Sequence, residues 1–451
     1  MSDTARDMHV AVALAEKVAS RGGTAYFVGG FVRDRLRGEE GKDIDIEVHG
    51  IAPQTLEEIL DTLGERLSIG ESFGIYNLKH CGVDIAMPRK EKLVGKGHKD
   101  FDVFVDPFIG TKKAAMRRDF TVNALMQNVL SGEVVDHFGG LEDLKNGVLR
   151  HVNDETFAED PLRVLRGAQF AARFEYTLAP ETVEICRQIR LDALSKERVA
   201  GELFKAFLKA DRPSIFFSVL RECKALTFWF PEVESLIGVP QNPRFHAEGD
   251  VWNHTLLVLD EAAKKREKAN FPKGFMLSAL THDFGKPLCT ETVDGKIHAY
   301  AHEVKGLGSA ERFLNRLTNE KKLIEYVLNM TRLHMRPNIL ASDRSAVKKT
   351  NVLFDEAIDP EDLILLCAAD DRGSLSAEQK TDYTDFLTER LRLYRETMAK
   401  PGVTGQDLRD AGLKPDKNFS ELLKYAHKLQ LSGLNKEAAL KQTLARAKEL
   451  T

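Results

Sequence analysis

The stretch that decides the fold is Gly29-Gly30-Phe31-Val32-Arg33-Asp34, followed nine residues later by Asp43-Ile44-Asp45-Ile46-Glu47-Val48. The apolar run Ala25–Val28 and the helical pattern after the glycines predict a strand, a glycine turn and a helix. Backbone amides at such a turn, together with the helix N-terminus, form a concave site for phosphate. The second stretch alternates strictly, which predicts a half-buried strand.

Asp43 and Asp45 are two residues apart, so in a strand both carboxylates emerge on the same face. Two neighbouring carboxylates repel each other unless a cation lies between them, and Mg²⁺ prefers hard oxygen ligands. A metal pair there could position a triphosphate and lower the pKa of an attacking hydroxyl, with Asp84 as a third carboxylate. A solvated strand face and a plain turn are the alternatives. The order of the two motifs favours phosphate and metal binding.

Strand and helix signals alternate as far as about Phe138, with Tyr76–His80 and Val83–Met87 as a predicted hairpin. From Leu141 strand signals nearly vanish, and apolar residues recur at the spacing of helices. We therefore predict an α+β protein: an α/β head at 1–138, a helical neck at 139–240, a third helical domain at 241–400 and a helical end at 401–451.

Composition sets broad limits on the function. The 451 residues, 43% hydrophobic and 30% charged, are typical of a globular protein with about three domains. No stretch approaches the roughly 18 apolar residues that span a bilayer, and no secretory signal is evident. Five scattered cysteines without a CxxC pair favour reduced thiols, so we expect a cytoplasmic protein.

The charge balance is less informative than its distribution. A net charge of −4 argues weakly against a nucleic-acid partner. However, Arg89–Arg118 carries nine Lys and Arg against four acids, with glycines interspersed, which predicts a mobile basic loop. The loop ends in Arg118-Asp119, with Asn123 shortly after. Arginine can clamp phosphates there, and aspartate can accept hydrogen bonds from ribose hydroxyls.

Asp160 and Arg163 lie three residues apart at the start of a predicted helix, hence on one of its faces. One interpretation is a helix cap with a local ion pair. The other is a protein template for a nucleobase. Cytosine and adenine both present an exocyclic amine beside a ring-nitrogen acceptor, so a carboxylate plus a guanidinium can select them over uracil and guanine.

Histidines and aspartates of the third domain follow a pattern typical of metal ligands. The set is His254, His282, Asp283, His302, His334 and Asp370. Imidazole and carboxylate groups from several helices can hold one or two divalent ions and activate a water. An isolated histidine is more often a surface or core residue, which is the interpretation for His246 and His298. Because His302 and His334 would be additional ligands, a site that holds two ions is one of the alternatives.

Taken together, GGFVRD…KDIDIEV, RRDFTVNAL and EDPLRVLR resemble the motifs of the class II tRNA nucleotidyltransferases, which are the CCA-adding enzymes and their poly(A) polymerase relatives. The resemblance covers essentially the whole chain. It implies a polymerase beta-like palm in the head, Mg²⁺ as cofactor, and tRNA, CTP and ATP as partners. It implies no association with a membrane, and it does not indicate any protein partner.

The same resemblance assigns roles by residue. Asp43 and Asp45 would hold the catalytic ions, and Glu159 would orient Arg163. The residues that would contact the nucleotide are Gly29, Gly30, Arg33, Arg118, Asp119, Asn123, Asp160, Arg163 and Arg166. The resemblance leaves open whether the enzyme adds CCA, only CC, only A, or poly(A).

The segment LTHDFGKP resembles the HD phosphohydrolase superfamily, which implies phosphatase or 2′,3′-cyclic phosphodiesterase activity with a divalent metal of unknown identity. Two further functions remain as alternatives. The chain could be chiefly an HD phosphohydrolase with a nucleotide-binding head, or a non-catalytic RNA-binding protein. The carboxylate pair argues against the last, because binding alone needs no metal ligands.

Overall fold

This computed structural model describes residues 3–39, 41, 43–67, 74–93, 101–376, 381–415 and 418–449. The chain divides into two compact units, one of residues 1–202 and 215–225 and the other of residues 203–214 and 226–451. Among the described residues, no helix is both long and apolar enough to cross a membrane. The four-part division stays a prediction.

A mixed seven-stranded sheet forms the centre of the first unit. The strands of the head are β1 (Thr24–Val28), β2 (Ile44–His49), β3 (Arg66–Leu67), β4 (Ile75–Leu78), β5 (Val83–Ala86), β6 (Arg89–Leu93), β7 (Phe101–Val105), β8 (Met126–Asn128) and β9 (Val134–Val135). The order in the sheet is β3-β4-β5-β2-β1-β8-β9, and β6 and β7 form a separate hairpin. Strands β2 and β5 are parallel neighbours, whereas β4 and β5 form the predicted hairpin.

One face of this sheet is covered by helices. The helices that pack there are α1 (Asp3–Ser20), α2 (Gly30–Leu36) and α3 (Pro53–Asp61), whereas α4 (Thr111–Met116) packs in a separate cluster with Val28 and Met126. Leu14 of α1 and Leu56 of α3 belong to one buried cluster with Ile44 and Ile46 of β2. Because side chains alternate along a strand, burial of the two isoleucines turns Asp45 to the opposite face.

The rest of the first unit is helical, as predicted. Its helices are α5 (Gly140–Asn146), α6 (Asp154–Ala158), α7 (Leu162–Phe174), α8 (Pro180–Gln188), α9 (Lys196–Lys209), whose last turns belong to the second unit, and α10 (Ser214–Glu222). A short parallel pair joins β10 (Val148–Leu149) to β11 (Thr177–Leu178). Helix α7 is buried along most of its length.

The second unit is also built from helices, which confirms the α+β class. They are α11 (Pro231–Glu234), α12 (Val251–Ala263), α13 (Pro272–Thr281), α14 (Lys286–Cys289), α15 (His302–Lys305), α16 (Leu307–Leu317), α17 (Lys321–Leu333), α18 (Met335–Ser342), α19 (Val347–Glu356), α20 (Pro360–Gly373), α21 (Thr384–Met398), α22 (Gly405–Asp410), α23 (Phe419–Leu431) and α24 (Lys436–Glu449).

The second unit also contains one hairpin that the sequence patterns did not predict. Strands β12 (Thr290–Val293) and β13 (Lys296–Ala299) pair in antiparallel fashion. Asp294 and Gly295 have φ angles of 51° and 73°, as a two-residue hairpin turn with positive φ requires. The Asp-Gly pair signals such a turn. Neither strand has a fully buried residue, so both lack the apolar alternation that identifies a half-buried strand.

Candidate active site and metal centre

The glycine turn lies between β1 and α2. Gly29 has a φ of 66°, in the left-handed region that favours glycine. A Cβ atom at Gly29 would lie 3.2 Å from Nη1 of Arg118 and 3.5 Å from Oδ2 of Asp45. The structure thus brings the predicted phosphate turn, a predicted phosphate-binding arginine and a predicted metal ligand to one place.

The carboxylates lie on neighbouring strands. Asp45 of β2 is in direct register with Asp84 of β5, and Asp43 is exposed just before β2 begins. Oδ1 of Asp84 accepts a hydrogen bond of 2.5 Å from Nδ2 of Asn77. Burial, together with the charges of Asp84 and Asp43, raises the pKa of Asp45 to about 6 against the opposing charge of Arg118. A nearby cation would relieve this repulsion at Asp45, and carboxylate oxygens are the ligands that Mg²⁺ prefers.

A chain of hydrogen bonds links the predicted nucleotide residues to one another. Nη1 of Arg33 donates to Oδ1 of Asn123 at 2.6 Å, and Nδ2 of Asn123 donates to Oδ1 of Asp119 at 2.9 Å. Nε of Arg166 donates to Oδ2 of Asp119 at 2.7 Å. Burial alone would raise the pKa of Asp119, but Arg166 and Asn123 hold it below its usual value. The chain connects α2, behind the glycine turn, with α7.

Arg33 and Arg118 differ in access. The Arg33 side chain is 4% exposed, and it donates to Asp34 as well as to Asn123. Its guanidinium also lies 4.5 Å from the ring centre of Phe174. A ligand at the glycine turn would therefore interact with Arg33 mainly through the positive charge of the arginine, without direct contact. Arg118, whose side chain is 19% exposed, is the more accessible cation.

The predicted base-reading residues are bonded to other groups. Arg163 donates from Nη1 to the carbonyl of Thr156 at 2.7 Å and from Nη2 to the carbonyl of Arg117 at 2.5 Å. Asp160 accepts instead from Nη2 of Arg198, which lies 3.0 Å from Oδ1 and 2.8 Å from Oδ2. Asp160 and Arg163 are thus both held at the start of α7, each by its own partners.

Glu159 lies directly before Asp160, at the end of α6. Burial lowers the pKa of the Arg163 guanidinium. The negative charges of Asp119, Asp160 and Glu159 oppose that shift. Glu159 therefore acts on Arg163 through its charge, and the orienting role stays a prediction.

The basic segment Arg89–Arg118 is not one loop. It contains β6, β7 and α4, so the prediction of a continuous loop is wrong for these parts. Strands β6 and β7 pair in antiparallel fashion, with Arg89 opposite Val105 and Leu93 opposite Phe101. Lys96 and Lys99, which contributed to the predicted basic charge, lie outside the described residues.

In the second unit, all six predicted metal ligands converge. His254 lies on α12 and Asp370 on α20, while the others lie at or beside helix ends: His282, Asp283, His302 and His334. They form two groups, and in each the ligand atoms lie within 4.8 Å of one another: His254, His282 and Asp370 in one, and Asp283, His302 and His334 in the other.

The imidazole rings are oriented by the backbone. Three of them donate from Nδ1 to a carbonyl oxygen: His282 to Ala279 at 2.9 Å, His302 to Ala299 at 2.9 Å, and His334 to Thr331 at 2.7 Å. Because the carbonyl oxygen can only accept, Nδ1 carries the proton. Each of these rings, when neutral, offers the lone pair of Nε2 to the cluster, as metal ligation requires.

Asp283 lies between the two groups. Its Oδ2 is 3.2 Å from Nε2 of His282, and its Oδ1 is 3.2 Å from Nε2 of His302. Oδ2 is buried and accepts no hydrogen bond, although the ammonium of Lys286 lies 2.6 Å away. A buried carboxylate with an imidazole nitrogen 3.2 Å from each of its oxygens has the ligand types that suit a divalent cation. The donor set therefore suits one ion in each group, with Asp283 shared between them.

A cavity of about 660 Å³ opens beside the cluster. Asp283, Lys286, His302, His334 and Asp370 line it together with Phe245, His246 and His298. His246 and His298 are thus wall residues of this cavity, although their isolation in the sequence favoured a surface or core role.

Two segments of the chain match known protein families. Residues 25–150 match the poly A polymerase head domain, and residues 175–237 match the probable RNA and SrmB-binding site of polymerase A. The multifunctional CCA protein of Actinobacillus pleuropneumoniae serotype 5b is 37% identical over 366 residues, which are 79% of this chain and 87% of that protein. The chain belongs to the CCA-adding nucleotidyltransferase family.

Solved structures of CCA-adding enzymes share the fold. The Thermotoga maritima enzyme complexed with tRNA has a TM-score of 0.61 at 20% identity and covers 96% of this chain and 94% of its own. The Bacillus stearothermophilus enzyme in complex with CTP has a TM-score of 0.65 at 18% identity and covers 98% of each chain. The predicted family and fold are thereby confirmed.

In this member of the CCA-adding family, sequence reasoning missed two carboxylates that hold site residues. Glu248 accepts from Nδ1 of His254 at 3.1 Å and from Nδ1 of His246 at 2.8 Å. Glu248 thus orients a predicted metal ligand of the second unit. The other is Glu47, in the middle of the quoted strand β2.

The prediction of a half-buried strand is wrong for the part of β2 after Asp45. All residues from Ile46 to His49 are buried there, including Glu47. Glu47 is 1% exposed, accepts from Nε2 of His49 at 2.9 Å, and lies 3.5 Å from Nη2 of Arg118. Burial alone would raise its pKa. The hydrogen bond from His49 and the charges of Arg118 and Arg117 instead lower the pKa of Glu47 to about 2. This carboxylate therefore anchors Arg118 beside the glycine turn.

Replacing Glu47 by glutamine is expected to destabilise the head in a pH-dependent way. Its pKa is about 2 in the fold against 4.5 in the unfolded chain, so ionised Glu47 stabilises the fold above about pH 5, and this contribution is lost as the pH falls towards 2. The loss in free energy of unfolding should be on the order of 2–3 kcal/mol at pH 7 and smaller at pH 3.5. Urea unfolding measures it, with exposed Glu65→Gln as control. An equal loss at both pH values would contradict the assignment.

Proposed function

We propose that this chain is a tRNA nucleotidyltransferase that adds the 3′-terminal CCA without a nucleic-acid template, using CTP and ATP. The observation that carries the proposal is the meeting of the glycine turn with Arg118 and Asp45, both within 3.5 Å of the position that a Cβ atom at Gly29 would occupy. Support comes from the relatives, which are named for CCA addition and include enzymes solved with ATP, CTP and tRNA. A tRNA acceptor implies that the reaction takes place in the cytoplasm.

In the proposed reaction, the 3′-hydroxyl oxygen of tRNA attacks the α-phosphorus of CTP or ATP. A new P–O bond forms, the bond between the α- and β-phosphates breaks, and pyrophosphate leaves. Mg²⁺ held by Asp43, Asp45 and Asp84 would neutralise phosphate charge and lower the pKa of the hydroxyl. The remaining work is positioning and charge stabilisation, on which phosphoryl transfer chiefly depends.

The chain's own residues supply that positioning. The amides of Gly29 and Gly30 receive the triphosphate at the N-terminus of α2, and Arg118 adds positive charge beside them. Asp119 and Asn123 hold ribose and phosphate. Their geometry is set by Arg33 and Arg166, which bond to them from opposite ends of the hydrogen-bonded chain.

The base is read at the start of α7. The carboxylate of Asp160 accepts from the exocyclic amine of cytosine or adenine, and Arg163 donates to the adjacent ring nitrogen. The carbonyls of Thr156 and Arg117 fix the Arg163 guanidinium in place. Uracil and guanine present the opposite order of donor and acceptor, so this pair rejects them.

Pyrophosphate release tests the proposal. A tRNA transcript that ends before CCA is mixed with the protein, Mg²⁺ and CTP, and pyrophosphate is measured with a coupled assay. The proposal predicts release that requires both tRNA and CTP. Binding of CTP with no release of pyrophosphate would contradict it and would favour the alternative of a phosphohydrolase with a nucleotide-binding head.

We propose a second activity for the second unit, metal-dependent phosphohydrolysis of phosphatase or 2′,3′-cyclic phosphodiesterase type. The supporting observation is the pair of ligand groups beside an open cavity, with Asp283 of one group 3.2 Å from His282 of the other. Divalent ions held there would activate a water molecule. Lys286, in the cavity wall, pairs with Asp283 at 2.6 Å and donates to Oε1 of Gln241 at 2.7 Å, so it adds positive charge beside the ligand groups.

A further inference from the structure

Asp160 is held by an arginine from a distant segment of the chain. Nη2 of Arg198, on α9, lies 3.0 Å from Oδ1 and 2.8 Å from Oδ2 of Asp160, which is 38 residues earlier. Both side chains are about one-third exposed, at 38% for Arg198 and 33% for Asp160. The contact therefore lies at an accessible surface of the first unit, where a ligand can reach it.

The contacts of Asp160 leave one acceptor position open. Oδ1 accepts from the backbone N–H of Leu162 at 3.1 Å as well as from Arg198. Oδ2 accepts from Arg198 alone among the described groups. An ionised carboxylate oxygen can accept two hydrogen bonds. Oδ1 is thus satisfied by the protein, whereas Oδ2 keeps one position for an amine of a ligand.

We infer that Arg198 is a positioning residue for nucleobase selection. It fixes the rotation of the Asp160 carboxylate so that the open position of Oδ2 faces the base beside Arg163. The inference rests on the proposed function, in which Asp160 and Arg163 read the base. Arg198 acts through Asp160 and contacts no reacting atom.

Selection depends on this rotation because the discrimination is geometric. Cytosine must find an acceptor opposite its amine and a donor opposite its ring nitrogen at the same time. Arg163 is already fixed by two backbone carbonyls. Without Arg198, the partly exposed carboxylate of Asp160 would be restrained by the Leu162 N–H alone, on one oxygen. It would rotate, and the preference for cytosine over uracil would fall.

A purely structural role predicts a different result. If Arg198 only ties α9 to α7, its loss weakens the addition of every nucleotide in the same proportion. A positioning role changes the ratio of kcat/KM for CTP to that for UTP, chiefly through KM for CTP. The ratio is therefore the decisive readout, whereas activity with CTP alone cannot separate the two roles.

The experiment uses the full chain and a tRNA transcript that ends before CCA. Arg198→Met removes the charge, Arg198→Gln keeps a polar group, and Arg198→Lys keeps the charge with poorer geometry. The control is Arg190→Met. Arg190 forms a comparable but exposed ion pair with Asp192 at 2.9 Å, and this pair does not involve Asp160. Single-nucleotide incorporation is measured with CTP and with UTP.

We expect the CTP-to-UTP preference to fall roughly tenfold or more in the methionine and glutamine variants, the scale of one lost base-reading contact. The lysine variant should lie between these and the wild type, and the Arg190 control should keep the full preference. An unchanged preference in Arg198→Gln overturns the inference, even where Arg198→Met fails to fold. A wild-type protein that adds no nucleotide would instead contradict the proposed function itself.

Discussion

Asp45→Asn is expected to lower nucleotide addition by roughly 10³-fold or more, because it removes a charge on which divalent-metal binding depends and a metal contributes several kcal/mol of transition-state stabilisation. The same substitution should leave the head at least as stable as the wild type when no divalent metal is present. Burial and the neighbouring Asp84 and Asp43 raise the pKa of Asp45 to about 6, so its ionised form disfavours folding at neutral pH. An amide of the same shape does not carry that cost.

Two measurements check this prediction. Incorporation of labelled CMP on denaturing gels reports the activity, and thermal unfolding in a metal chelator reports the stability. The matched control is Asp61→Asn, since Asp61 is an exposed head residue that pairs with Arg66 at 2.6 Å. Near-normal incorporation by Asp45→Asn would contradict the metal-ligand role. A large loss of stability would mean that the charge of Asp45 is compensated within the protein.

Asp283→Asn is expected to remove the proposed metal binding and the proposed phosphohydrolysis of the second unit while nucleotide addition stays within about twofold. Asp283 faces both ligand groups, at 3.2 Å from His282 and from His302. Loss of groups that merely orient ligands already weakens metal binding by 10–100-fold, so the loss of a shared ligand should exceed roughly 100-fold. Metal content after dialysis gives a readout that does not depend on knowing the natural substrate.

The control for Asp283→Asn is His427→Ala. His427 is also in the second unit, but it is partly exposed and pairs with Asp355 at 2.8 Å. The control should keep its metal and both activities. Retention of the metal by Asp283→Asn would contradict the ligand assignment. Loss of nucleotide addition together with the metal would show that the two activities are not separable.

The local features of the site could be predicted from the sequence. The placement of Asp45 between the buried Ile44 and Ile46 follows from the two-residue period of a strand, and a glycine turn before a helix is encoded within a few residues. The histidines and aspartates of the second unit could also be singled out as a set, because their types and order are typical of a metal centre, and their role as ligands stays a prediction. Their division into two groups about Asp283 depends on how several helices pack.

Contacts between distant segments could not be predicted in this way. In the sequence, Glu47 is an ordinary polar position of an alternating strand. Its role depends on Arg117 and Arg118, which lie about 70 residues later in the chain and contact it in the fold. The hydrogen bond of Arg198 to Asp160 joins residues 38 positions apart, and it forms only because α9 lies beside the start of α7. Glu248 likewise acquires its role from two histidine rings. Such pairings depend on tertiary packing, which cannot be read from the local patterns of a single sequence.

The most direct test of the central claim is the length and composition of the product. The protein is given tRNA transcripts that end before CCA, after C, after CC and after CCA, each with labelled CTP or ATP, and products are resolved one nucleotide at a time. CCA addition predicts two C residues from CTP, one A on the CC end from ATP, and no extension of the complete end. Growth of a poly(A) tail, or a stop after CC when ATP is present, would contradict it.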